Sequence, residues 1–202
     1  MAAETTQKAQ KQLETLFVAV DVEKKGPGFD FPVIQLGVAF GTNIQNIQKM
    51  SVCFDHKDVP FQEKCFNEFW KTRQELYNKI LAEAKPPTEQ WKTFVEWFDG
   101  LEKKYPKIEL ASDNPAYVLE AIDFHVWKEC KRLPLRYSST GEYRSVSDPT
   151  EQLAGMPPRI ADVIKKTVDE TNPATHWAAD DAANILSTFF CVRQLTTTLK
   201  KS

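Results

Sequence analysis

Leu16-Phe17-Val18-Ala19-Val20-Asp21-Val22-Glu23 is the stretch on which the fold turns. Its apolar, β-branched run reads as a buried strand. It nevertheless ends in two carboxylates separated by a single residue. Strand side chains alternate between faces, so Asp21 and Glu23 project to the same side. Two acids on one face at the end of a buried strand repel each other and are costly to remove from water. A bound cation offsets that cost, and so does an ordinary strand end whose acids lie in solvent. The strand alone leaves both open.

Working outward, Lys24-Lys25-Gly26-Pro27-Gly28 reads as a turn. Val33 to Phe40 reads as a second strand, Gly41-Thr42-Asn43 as a hairpin turn, and Ile47 to Phe54 as a weaker third strand. Three strands joined by short turns make an antiparallel meander. A helical pattern then runs from Phe61 to Ala84 until Pro86-Pro87 breaks it. Thr88 is the expected N-cap of the next helix, whose buried stripe is Trp91, Phe94, Val95, Phe98 and Leu101. Ile108 to Ala111 is a short strand, and Asn114-Pro115 opens a helix through Val118, Leu119, Ile122, Val126 and Trp127 to Cys130. Pro134 to Tyr137 suggests a further strand and Ser138 to Pro158 a loop. Pro158 to Thr171 and a segment from about His176 to Leu199 read as the last helices. This order predicts an α/β fold: a mixed sheet, antiparallel meander first and parallel strands after, with helices on both faces.

Residues 1–14 read as a polar N-terminal arm and residues 15–202 as a single domain. The chain of 202 residues carries a formal net charge of −2, so no global basic field draws in a polyanion. Cys53, Cys65, Cys130 and Cys191 lack C-x-x-C spacing, which argues for reduced thiols and against a zinc site. There is no apolar leader and no run of the ~20 residues needed to span a bilayer. The expectation is a cytoplasmic or nuclear protein that does not enter membranes.

A second informative stretch is His176-Trp177-Ala178-Ala179-Asp180-Asp181-Ala182. It places a histidine near a helix start and Asp181 about one turn later, with small residues that allow close backbone approach. Asp180 would point about 100° away from Asp181, so only one of them faces a common site. A polar helix start whose acids suit the dipole explains the same residues.

Taken in order, Asp21-Val22-Glu23, the segment Ala111-Ser112-Asp113-Asn114-Pro115-Ala116-Tyr117-Val118, and His176 with Asp181 resemble the motifs of the DEDDh 3′–5′ exonucleases, which include polymerase proofreading subunits. The resemblance covers roughly residues 16–195 and implies a ribonuclease H-like fold. It also implies metal-dependent hydrolysis of phosphodiester bonds at DNA or RNA 3′ ends, with release of nucleoside monophosphates. By this resemblance Asp21, Glu23 and Asp181 hold metal and His176 is the general base. The cofactors would be two Mg²⁺ or Mn²⁺ ions, about 3.5–4 Å apart, since hard cations take oxygen ligands. The partner would be a single-stranded or frayed nucleic-acid 3′ end.

The middle motif departs from the pattern. Asn114 and Tyr117 fit, but Val118 stands where an acid is expected. Either Asp113 at the strand end supplies the missing carboxylate and completes the metal set, or the chain is a weak or inactive exonuclease-like module that binds nucleic acid or a protein. Glu120 and Asp123 are turned away from the face of residue 118. Lys24, Lys25, Arg136, Arg144, Arg159, Tyr137 and Tyr143 are weaker candidates for contact with a strand. His56 and His125 read as structural or solvated.

Overall fold

The computed structural model describes residues 15–138 and 140–199, so the expected arm over residues 1–14 lies outside the described residues. Five strands form one sheet in the order β3-β2-β1-β4-β5. They are β1 (Thr15–Lys24), β2 (Val33–Gly41), β3 (Gln48–Cys53), β4 (Lys107–Ala111) and β5 (Val146–Ser147). The β1–β2 and β2–β3 pairs are antiparallel, and the β1–β4 and β4–β5 pairs are parallel. The expected meander followed by parallel strands is therefore the observed sheet.

Alternation along β1 assigns the two faces. Leu16, Val18, Val20 and Val22 enter the larger core with α3 (Pro87–Lys104) and α4 (Pro115–Cys130). Phe17 and Ala19 face α7 (Ala178–Leu199), whose Ala182, Ala183, Ile185, Leu186 and Phe189 complete a second core. By the same alternation Asp21 and Glu23 belong to the α7 side. Between Glu23 and Lys24 the register shifts, so Val33 joins the larger core while Ile34 turns to Trp70 and Ile80. The remaining helices are α1 (Glu63–Glu68), α2 (Gln74–Glu83), α5 (Pro149–Ala154) and α6 (Pro158–Thr171).

Several boundaries differ from the sequence reading. The Phe61–Ala84 helix is broken into α1, a 3₁₀ turn at Trp70–Thr72, and α2. Trp70 is fully buried and its indole N–H donates to the Lys24 carbonyl at 2.9 Å, a long-range bond that interrupts the helix. Thr88 is not an N-cap: Pro86 holds that place without a side-chain bond, and the Thr88 hydroxyl donates to Glu129 at 2.7 Å. Pro134–Tyr137 is a turn, and the fifth strand is Val146–Ser147, inside the segment expected to be a loop. The link from β2 to β3 runs beyond the expected Gly41–Asn43 turn and includes a 3₁₀ turn at Ile44–Asn46. His176 precedes α7 rather than lying within it. The four cysteines are free. Among the described residues no helix is long and apolar enough to cross a membrane.

Candidate active site

The carboxyl ends of β1 and β4 meet the start of α7 at a cleft of about 510 Å³. It is lined by Asp21, Glu23, Asp113, His176 and Asp181, with Phe69 and Tyr117 among its walls. All five residues singled out by the sequence therefore border one space. Glu23, His176 and Asp181 form the tighter group, with one ligand atom of each within 4.8 Å of the others. Asp21 and Asp113 line the cleft without belonging to that group.

Two residues that sequence reading overlooked bring α7 to the sheet. Gly37 pairs with Asp21 across β1–β2. A Cβ on Gly37 would stand 1.9 Å from the carbonyl carbon of Ala178, so only a glycine admits the first turn of α7. Gln35, paired with Glu23, is fully buried. Its Oε1 accepts the Ala178 N–H at 3.1 Å and its Nε2 donates to Ser51 at 2.9 Å. One orphan donor of the helix start is thereby satisfied by a strand side chain. A glycine within a strand is the signal for close backbone approach that could have flagged this contact.

His176 adopts a left-handed backbone with φ of 60°. For a non-glycine residue this costs about 1–2 kcal/mol. The conformation is held from several sides. Asp181 Oδ1 accepts the N–H groups of Thr175 at 2.8 Å and His176 at 3.2 Å. The imidazole stands edge-on to Phe69 with centroids 5.3 Å apart, and its Nε2 lies 3.4 Å from an Arg73 nitrogen. The break between α1 and α2 supplies both Phe69 and Arg73. Asp180 is turned away to Lys49 at 2.7 Å and Thr175 at 2.9 Å.

The electrostatics of the cleft are dominated by crowded acids. Burial, followed by the charges of Asp113 and Asp181, pushes the Asp21 carboxyl up to about 7. Burial and the neighbouring Asp21 and Asp181 drive Glu23 well above the usual carboxylate range. Asp113 and Asp181 are also raised, chiefly by burial. No ion pair reaches Asp21, Glu23, Asp113 or Asp181 among the described residues. The charge of Arg73 offsets the crowding only in part at Glu23, and four carboxylates sharing a cleft with no ion pair among the described residues make a donor set that fits a hard divalent cation.

Position 118 is occupied differently. Val118 is 2% exposed and packs in the larger core, whereas Asp113 stands at the end of β4 and borders the cleft. Asp123 is buried elsewhere, accepting from Leu135 N–H and Arg136 at 2.7 Å each. Several weaker candidates have structural partners. Lys25 is buried and donates to the carbonyls of His56 and Val59, both at 2.6 Å. Arg144 is buried and paired with Glu102. Lys24 borders the cleft with its Nζ 3.6 Å from the Tyr117 ring centre, and burial lowers its pKa to about 8. His125 is buried against Trp91 in a stacked contact at 5.4 Å.

No family model and no curated protein matches the chain. Solved structures do match. The zinc-bound form of Escherichia coli exonuclease I with single-stranded DNA is 15% identical with a TM-score of 0.61, covering 93% of this chain and 42% of that one. The E. coli enzyme with a 5cy-dT13 oligonucleotide is 14% identical with a TM-score of 0.63, covering 92% and 42%. The moderately thermophilic exonuclease I of Methylocaldum szegediense is 14% identical with a TM-score of 0.61, covering 92% and 42%. The chain thus spans about two fifths of the length of these solved chains. What the likeness carries is the fold: an α/β, ribonuclease H-like mixed sheet of the kind found in exonuclease I.

Proposed function

We propose that the chain is a metal-dependent 3′–5′ exonuclease of the DEDDh type, acting on a single-stranded or frayed DNA or RNA 3′ end and releasing nucleoside monophosphates. The observation that supports it best is the gathering of Asp21, Glu23, Asp113, His176 and Asp181 around one cleft, with no ion pair to these acids among the described residues. The names of the similar structures, several of them complexes with single-stranded DNA, agree with that reading.

Asp21, Glu23, Asp113 and Asp181 would hold two Mg²⁺ or Mn²⁺ ions. When bound, such ions supply charge stabilisation to the attacking and leaving oxygens of the phosphodiester. The Asp181 Oδ1 atom already accepts two backbone N–H groups, which fixes the carboxylate and leaves Oδ2 for a ligand. His176 takes the proton of the attacking water through a ring nitrogen. Phe69 and Tyr117 line the cleft and would border the terminal nucleotide, an apolar contact indifferent to base identity. Asp113 serves in place of the acid that Val118 displaces.

The test is trimming of a 5′-labelled single-stranded oligonucleotide in Mg²⁺ or Mn²⁺. The wild-type protein should shorten it, and Asp21→Ala or His176→Ala should stop it while the fold, read by circular dichroism, stays intact. Trimming that survives in pure Asp21→Ala protein overturns the proposal. Val118 in the core favours a second reading, an inert module that binds strands or a protein without cutting. Under that reading the wild-type protein binds the oligonucleotide and never shortens it.

A further inference from the structure

Arg73 is the cation placed against His176. Its guanidinium lies over the Phe69 ring, 4.1 Å from the centroid. Nη1 donates to the Phe69 carbonyl at 3.0 Å and to Thr72 Oγ1 at 3.4 Å, and Nη2 approaches His176 Nε2 at 3.4 Å. Arg132, Arg136, Arg144 and Arg193 are each paired with a carboxylate. Arg73 makes no ion pair among the described residues, although its charge is felt by Glu23, and its donors go to the Phe69 carbonyl, Thr72 and His176.

A guanidinium has donors only, so its contact with Nε2 engages that nitrogen's lone pair. While that contact holds, Nε2 is not open to a water molecule. Beside this contact lies a hollow of about 360 Å³ bordered by Lys71, Arg73, Gln74, Glu75, Thr175 and His176. Lys71 likewise has no ion pair among the described residues. Lys71 and Arg73 outnumber Glu75, the acid of this hollow, and the surplus positive charge next to the cleft suits a phosphodiester of a strand whose end has entered the cleft.

We infer that Arg73 is a phosphate-responsive latch: in the free protein it holds His176 Nε2, and a backbone phosphate of an entering single strand draws the guanidinium into the hollow and frees that nitrogen. This rests on the exonuclease reading of the cleft. The exchange is favourable because charge-assisted bonds to phosphate are roughly twice as strong as bonds between neutral groups, and arginine makes them in pairs. A planar guanidinium can also stay stacked on Phe69 as it turns, which a lysine ammonium cannot do.

The experiment combines kinetics with the ¹⁵N resonances of the His176 ring. Arg73→Met should raise KM for oligothymidylate about tenfold, the equivalent of one charge-assisted contact, and the change should appear in KM rather than kcat. Arg73→Lys should recover part of the KM. In metal-free wild-type protein, oligothymidylate should shift the His176 Nε2 resonance toward a free acceptor, and Arg73→Met should show that position before any strand is added. A fall in kcat with KM unchanged overturns the latch and makes Arg73 a fixed support of the ring. A His176 resonance indifferent to the strand also overturns it. If wild-type protein trims nothing with either metal, the exonuclease reading fails, while the response of His176 to bound strand still decides the latch.

Discussion

Gly37 and Ala178 are in backbone contact: a Cβ on Gly37 would lie 1.9 Å from the carbonyl carbon of Ala178 and 2.0 Å from its oxygen. Gly37 is also the partner of Asp21 in the β1–β2 register. One missing side chain therefore sets how closely the helix bearing Asp181 approaches the strand bearing Asp21 and Glu23. The obstructing atoms are main chain, so no rotamer change relieves the clash.

Gly37→Ala should push the first turn of α7 away from the sheet. Overpacking of this kind costs about 1–3 kcal/mol, measurable in the urea midpoint. Trimming should fall further than stability does, by about 100-fold, because a displacement near 1 Å is enough to misplace reacting groups. Ala178→Gly should not rescue it, since the atoms in the way belong to the backbone.

What could be read from the sequence follows from the range of each signal. Asp21 and Glu23 share a face because strands have period two, and Asp181 follows His176 by a spacing visible in the chain. The buried stripe of Trp91, Phe94, Val95, Phe98 and Leu101 is likewise local and is found buried. The break at Trp70 was hidden because the surrounding aromatics keep helical spacing, while its cause is a bond to Lys24, far away in the chain. The fifth strand has only two residues, too few to carry a period, and exists through its pairing with Leu110 and Ala111. The short helix after it did carry a local mark: Asp148 accepts the Glu151 N–H at 2.9 Å, an acidic N-cap before Pro149. The partners of Arg144 and Lys25 lie across the fold, so two buried structural cations read as surface contacts for a strand.

The raised acids give the metal-free protein a definite pH dependence. A carboxyl whose folded pKa exceeds its unfolded value binds more protons when folded, so stability falls as pH rises between the two values. For Asp21 that window runs from 3.8 to about 7, and Glu23, Asp113 and Asp181 shift in the same direction. Thermal melts in chelator should show a lower Tm at pH 8 than at pH 5, and Asp21→Asn should narrow that difference. Mg²⁺ should raise Tm more at pH 8 than at pH 5, because protons compete for the same oxygens. At a hundredfold excess over Kd the stabilisation is about 2.7 kcal/mol. A Tm indifferent to Mg²⁺ and Mn²⁺ at pH 8 would count against a metal site.

Arg144 separates structural from strand-binding arginines. Its guanidinium pairs with Glu102 and donates to the carbonyls of Leu135 and Tyr137, all within the fold. Arg144→Ala removes one of the two arginines on Glu102, Arg132 remaining at 3.0 Å, and takes the donor from the Leu135 and Tyr137 carbonyls, a loss of about 1–3 kcal/mol. Denaturant unfolding should register that loss. The salt dependence of oligonucleotide binding should not change, whereas loss of a true phosphate contact lowers the slope by about one.

Asp113 and Val118 decide between the enzyme and the inert module. Val118 sits on the core side of α4 among apolar residues, so Val118→Asp buries a charge with no partner. The expected cost is about 3–5 kcal/mol by analogy with other uncompensated buried charges, and trimming should not improve. Asp113 borders the cleft and raises the pKa of Asp21 through its charge, which places it within electrostatic reach of the first strand's acids. Asp113→Asn should therefore leave the fold unchanged, weaken Mn²⁺ binding in calorimetry and abolish trimming. The opposite pattern, in which Asp113→Asn is silent and Val118→Asp awakens cutting, would mean that the acid belongs at the helix position after all and that this chain has lost it.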